Sequence, residues 1–194
     1  MTKSKSKIIV KNSTIPLKEP KKQNENVRIE LHNAILNGRT KKAIAAINSG
    51  IDINKKDKLG VTALMYAAQY GRRDIFKALL DKGARFNGRS HKGHTTLINA
   101  AYGGNIKIVK MLIKIGVDLN EKSDIGASAY AYAEYLGHKD IITALIDAGA
   151  RTENLAIMLE NITEYFSKIT NRPMPVTNSD REALKTCILR PGNN

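Results

Sequence analysis

His91 and His94 flank Lys92-Gly93, a spacing at which two imidazoles can turn toward one cation. Zinc takes three or four ligands from Cys, His or carboxylate side chains, and no further His or Cys lies near this pair in sequence. A solvated loop pair is therefore expected, with no metal. The single cysteine, Cys187, rules out an internal disulfide framework and suits a reducing compartment. Its basic neighbours are Lys185 and Arg190, and it falls on an apolar helical stripe, which predicts packing rather than nucleophilic attack. The glycines form neither a G-x-G-x-x-G turn nor a G-x-x-x-x-G-K-S/T loop, the two arrangements whose backbone amides cradle phosphate. These residues predict no catalytic site, no cofactor and no enzyme.

The glycines instead keep a step of 33: Gly38, Gly71, Gly104 and Gly137 form one column, Gly50, Gly83, Gly116 and Gly149 a second, and Gly60, Gly93 and Gly126 a third. Leu31, Leu64, Leu97 and Tyr130 share the step, as do Ala34, Ala67, Ala100 and Ala133. Each period reads as a helix pair. Thr62, Thr95 and Ser128 follow a turn and precede an apolar, alanine-rich run, where a side-chain oxygen satisfies an unpaired amide at a helix start. A second helix carries apolar residues at helical spacing, Ile75, Phe76, Leu79 and Leu80 in one period and Ile108, Val109, Leu112 and Ile113 in the next. The second glycine column comes directly after it, where a left-handed residue stops a helix. One such pair cannot cover its own apolar face, so the periods must stack, and at least about three are needed for stability.

The run Gly60-Val61-Thr62-Ala63-Leu64-Met65-Tyr66-Ala67-Ala68, followed by Gly71, Leu79-Leu80, Gly83-Ala84 and Asn87, resembles the ankyrin repeat family. Gly93, Thr95, Leu97, Ala100-Ala101, Gly104, Leu112, Gly116, Asp118 and Asn120 repeat the pattern. The resemblance covers residues 27–154 and implies an all-α solenoid of four repeats, approximately 27–57, 58–90, 91–123 and 124–154, joined by hairpin-like loops. Ala63, Thr96 and Ala129 stand where the family has Pro, and only the first unit keeps the family's His, as His32. Tyr130 in the leucine column and Ser128 in place of Thr predict a less regular first helix in the fourth unit. Asn54, Asn87 and Asn120 occupy a hairpin position modified in some members, and turn chemistry is the expectation for them here.

Composition marks the ends. All five prolines lie outside residues 27–154 and 13 of the 14 glycines lie inside. Residues 1–26 hold seven lysines and are expected to form a disordered basic arm. The longest apolar run there, Ile8-Ile9-Val10, is far short of a secretory h-region, and no stretch is long enough to span a membrane. Beyond residue 154, Leu155, Met158, Leu159, Ile162, Phe166 and Ile169 draw an apolar stripe along one helix, and Ser179 with Glu182 opens another. A helical cap and tail is expected over 155–194, with a partner-binding arm as the alternative. A cytoplasmic location is expected, with export by a non-classical signal as the alternative. A lysine-rich composition of 22 Lys against 10 Arg hints at an AT-rich bacterial or viral coding genome.

The resemblance implies a concave surface of hairpin fingertips and exposed sides of first helices, and no cofactor. On that surface Leu36, Lys58, Leu59, Gln69, Tyr70, His91, Lys92, Tyr102, Ile125, Tyr135 and Leu136 are the candidate partner-binding residues. Of the net charge of +14, residues 27–89 carry +8 and residues 90–154 carry 0. Arg39, Lys41, Lys42, Arg72 and Arg73 form one candidate basic patch, and Lys55, Lys56, Arg85 and Arg89 another. The expected function is a non-catalytic interaction module, monomeric alone, that binds a protein partner with an acidic surface. The alternative is a binder of nucleic acid or anionic lipid, which the same field would attract.

Overall fold

Four helical hairpins follow one another: α1 (Pro20–Leu36) with α2 (Thr40–Asn48), α3 (Ala63–Gln69) with α4 (Arg73–Asp81), α5 (Thr96–Tyr102) with α6 (Ile106–Ile115), and α7 (Ala129–Leu136) with α8 (Lys139–Asp147). The computed structural model describes residues 20–152 together with Glu164, Ser167 and Lys168. First helices α1, α3, α5 and α7 stack in one layer, and second helices α2, α4, α6 and α8 in the other. The expectations for residues 1–19, for Cys187 and for the apolar stripe after residue 154 lie outside the described residues. Glu164, Ser167 and Lys168 are helical, with a Glu164–Lys168 ion pair at 2.7 Å.

The same local chemistry builds each unit. Thr62, Thr95 and Ser128 cap α3, α5 and α7, their hydroxyl oxygens accepting from the amides of Met65, Ile98 and Ala131 at 3.3, 3.2 and 3.3 Å. The chain then leaves the first helix through Gly38, Gly71, Gly104 or Gly137, all at positive φ. The next residue's amide returns to a carbonyl of that helix, for instance Arg72 to Ala67 at 2.8 Å and Asn105 to Ala100 at 3.0 Å. Small residues make the layer spacing possible: Ala34, Ala67, Ala68, Ala100, Ala101 and Ala133 are buried where helices touch. The core continues from unit to unit through the leucine column and through Ile75, Phe76, Leu79, Ile108, Val109, Leu112, Ile141 and Leu145. Each fully buried aliphatic or aromatic side chain of this kind contributes about 1.5–3 kcal/mol.

Two expectations are corrected. Residues 20–26, assigned by composition to a disordered arm, open α1 with Pro20 in its first turn, where proline's missing amide costs nothing. The fourth unit is not irregular either. Tyr130 is buried in the leucine column, and Ser128 makes the same cap as its threonine counterparts.

Candidate functional site

The fingertips are a backbone ladder. Within each loop Asp57, Ser90 and Ser123 donate their amides to Val61, His94 and Ala127 carbonyls at 3.0, 3.0 and 2.9 Å. Across loops the His91 amide donates to Leu59 at 2.9 Å and the Asp124 amide to Lys92 at 3.1 Å, so each tip is fixed to the next. Gly60 stands where a Cβ would meet the His91 amide nitrogen at 2.7 Å, and its φ of +74° disfavours any other residue. The tips therefore present their side chains from a rigid edge. Lys58, Leu59, His91 and Lys92 are exposed on it, and Ile125 is half-buried.

Beside this edge lie two aromatic clusters. His32 and Tyr66 meet edge to face at 5.4 Å between centroids, and Tyr66 stacks with Tyr70 at 6.4 Å. Farther along, Tyr132 meets His94 at 5.3 Å and Tyr102 at 6.1 Å. Tyr70 is 40% exposed, whereas Tyr102, Tyr135, Gln69 and Leu136 are half-buried and Leu36 is exposed. Burial raises the Tyr102 phenol, and the nearby Tyr70 raises it further. Tyr70 follows α3, and Tyr102 ends α5, the next first helix in the stack. Gly103, one period after Tyr70, stands so close to the Gln69 carbonyl that a Cβ would collide with it. This position is set by helix packing.

Hydrogen bonds fix the two clusters differently. Tyr66 donates its hydroxyl to Asp57 Oδ2 at 2.7 Å, and Asp57 Oδ1 accepts from the amides of Leu59 and Val61, both at 2.8 Å. Burial pushes the Asp57 carboxyl up, but the Tyr66 hydroxyl and the two amides outweigh it and hold the group below its usual value. Burial, then Asp57, pushes the Tyr66 phenol well up. In the other cluster the Tyr132 hydroxyl lies 2.9 Å from His94 Nε2. Burial, helped by Lys92, lowers His94 to about 4. His94 is therefore no solvated loop residue. It turns inward against Tyr132 while His91 stays exposed, so the two imidazoles face different surroundings. Among the described residues no group of three His, Cys, Asp or Glu side chains converges as a metal site.

The basic residues divide between surface and joint. Arg39, Lys41, Lys42, Arg73, Lys55 and Arg85 are exposed. Arg72 departs from the expected patch: its Nε and Nη2 donate to the Ile35 and Leu36 carbonyls at 3.0 and 2.9 Å, capping the C-terminus of α1. Asn105, one period later, does the same for α3, donating to the Ala68 and Gln69 carbonyls at 2.8 and 2.9 Å. Sequence alone could not distinguish Arg72 from its neighbour Arg73, because only the stacking brings an orphan helix end to its guanidinium. Lys56 Nζ donates to the Arg89 carbonyl at 2.7 Å. Arg89 pairs with Glu121 at 2.8 Å and donates to the Lys122 carbonyl. Asn54 and Asn120 accept from the amides of Arg85 and Arg151, both at 2.8 Å, so their side chains lock consecutive hairpins.

A depression of about 200 Å³ opens between α1 and α3, lined by Arg28, Ile29, His32, Leu36, Asp57 and Tyr66 among others. The sequence pointed here only through Leu36 and the retained His32. No helix among the described residues is long and apolar enough to cross a membrane. A family model described as ankyrin repeats (three copies) matches residues 5–90 and, in a second match, residues 86–155. No curated protein matches the chain.

Proposed function

Because the chain belongs to the ankyrin repeat family, whose repeats are general protein–protein interaction modules, we propose that it is a non-catalytic adaptor or effector that holds a partner protein on its inner face. The observation that carries this reading is the pair Tyr70, exposed at the end of α3, and Tyr102, half-buried at the end of α5, beside fingertips whose backbones are already fixed to one another. Tyrosine adds contact area and a hydrogen-bonding tip while losing little rotamer entropy, and a rigid frame lowers the cost of ordering it. The positive first half selects an acidic partner surface and speeds the encounter. Nucleic-acid or lipid binding is the weaker reading, because Arg89 is paired with Glu121 and the Arg72 and Lys56 side chains are held by carbonyls of neighbouring units, which leaves these three less free to reach a phosphate.

Affinity isolation from the native source with the full chain tests the proposal. A partner retained at moderate salt and lost with Tyr70→Ala combined with Tyr102→Ala is the expected result. Retention that vanishes with modest salt and is indifferent to both substitutions would overturn it.

A further inference from the structure

Tyr66 and Tyr132 stand two periods apart, and each meets a histidine ring. In the third and fourth units the His94 ring is met by the Tyr132 hydroxyl. In the first and second, Tyr66 gives its hydroxyl to Asp57 instead. His32 Nδ1 donates to the Arg28 carbonyl at 2.9 Å. Its Nε2 is shielded from water and has no hydrogen-bond partner. It belongs to the lining of the depression between α1 and α3, whose rim holds two large apolar side chains left to solvent, Ile29 at 51% and Leu36 at 38% exposure. Leu59, 55% exposed, stands at the adjacent fingertip.

Charge indicates what this depression accepts. Arg28 lines it, and Lys58 is exposed on the fingertip beside Leu59. A second depression of about 240 Å³ shares Ile29 and Asn33 with the first and holds Arg39 and Lys42, both exposed, together with Glu30. The surrounding residues 27–89 carry +8, and Asp57, the acid in the first depression, is already engaged by two amides and a phenol. Residues 1–19 hold five lysines against one glutamate, a charge of the same sign as this region's.

Resting on the reading of the inner face as a docking surface, we infer that the partner anchors at the first two repeats through an acidic segment that buries one apolar side chain between Ile29, Leu36 and Tyr66. Glutamate or aspartate residues flanking the anchor meet Arg28 and Lys58 on one side and Arg39 and Lys42 on the other.

The test uses the full chain and short synthetic peptides with a single leucine among glutamates, read by fluorescence anisotropy. Replacing the peptide leucine by serine, or Leu36→Ser in the protein, is expected to weaken binding about tenfold or more, the loss of one buried aliphatic anchor. A peptide with lysine for every glutamate is expected not to bind. Tyr102→Ala, one unit away, is expected to leave peptide affinity within about twofold. Peptide binding that ignores Leu36→Ser yet falls with Tyr102→Ala would overturn the inference and leave the wider groove reading standing. Absence of peptide binding alongside retained capture of the partner would do the same. Two further outcomes reassign the occupant and overturn it. One is a tighter peptide complex when Ile8, Ile9 and Val10 are changed to serine, which identifies the chain's own arm. The other is self-association that Leu36→Ser abolishes, which identifies a second copy.

Discussion

Asn105→Ala should uncouple the second and third repeats. Its side-chain amide donates to the Ala68 and Gln69 carbonyls at 2.8 and 2.9 Å, two acceptors in the last turn of α3, of which Ala68 also receives the Gly71 amide at 3.3 Å. As the residue before α6 it makes no side-chain cap, so its contribution lies in the joint between units. Two neutral hydrogen bonds at about 0.5–1.5 kcal/mol each give a loss of about 1–3 kcal/mol. With a urea m-value of about 2 kcal/mol/M, the midpoint falls by about 1 M. Asn105→Asp should cost more than Asn105→Ala, because it sets an acceptor against two carbonyls in place of a donor. Far-UV circular dichroism during urea titration reads both. Since the bonds join two units, the alanine variant should also broaden the transition as the array begins to melt in parts. A loss below about 0.5 kcal/mol for alanine, or aspartate milder than alanine, would refute the argument that this column joins the repeats.

Gly103→Ala places a Cβ against the Gln69 backbone carbonyl, which cannot swing aside, and should destabilise the chain by about 1–3 kcal/mol in the same titration. Thr95→Ala removes the oxygen that accepts from the Ile98 amide and should cost about 1 kcal/mol. Burial holds the His94 pKa at about 4 in the fold, below the ordinary imidazole value of 6.5, so the unfolded chain binds its proton first as pH falls. Its contribution is complete above about pH 6.5 and is lost progressively toward pH 4, and His94→Gln should flatten that part of the stability profile measured by thermal melts. Asp57 is shifted below its usual value, so its bonds to Leu59, Val61 and Tyr66 stabilise the fold above the ordinary carboxylate range and are lost on acidification below it. Asp57→Ala should accordingly cost about 2–4 kcal/mol near neutral pH, read by denaturant midpoint.

The repeat register was legible because it is covalent: columns of glycine, leucine and alanine at a step of 33 place caps, turns and core without any tertiary knowledge. Thr62, Thr95 and Ser128 were readable as caps because the capping oxygen and its amide lie three residues apart. What escaped were relations between units. Arg72 and Arg73 are both cationic residues at the start of a second helix, and only stacking decides that one reaches the Ile35 and Leu36 carbonyls while the other stays exposed. His94 looked like half of a loop pair because Tyr132, its partner, is 38 residues away. The start of α1 escaped for another reason. A lysine-rich, proline-containing composition argues against a core, but Leu31, Ala34 and Ile35 of α1 are buried against α2 and α3, and the helix extends back to Pro20 from that anchor.

Hydroxyl-radical footprinting of the full chain with its captured partner tests the account most directly, because large exposed apolar side chains lie on both layers. Loss of labelling at Leu36, Leu59 and Tyr70, with Ile115 on α6 and Ile146 on α8 unchanged, is the result expected of an inner-face recognition surface. Protection confined to Ile115 and Ile146 would contradict it.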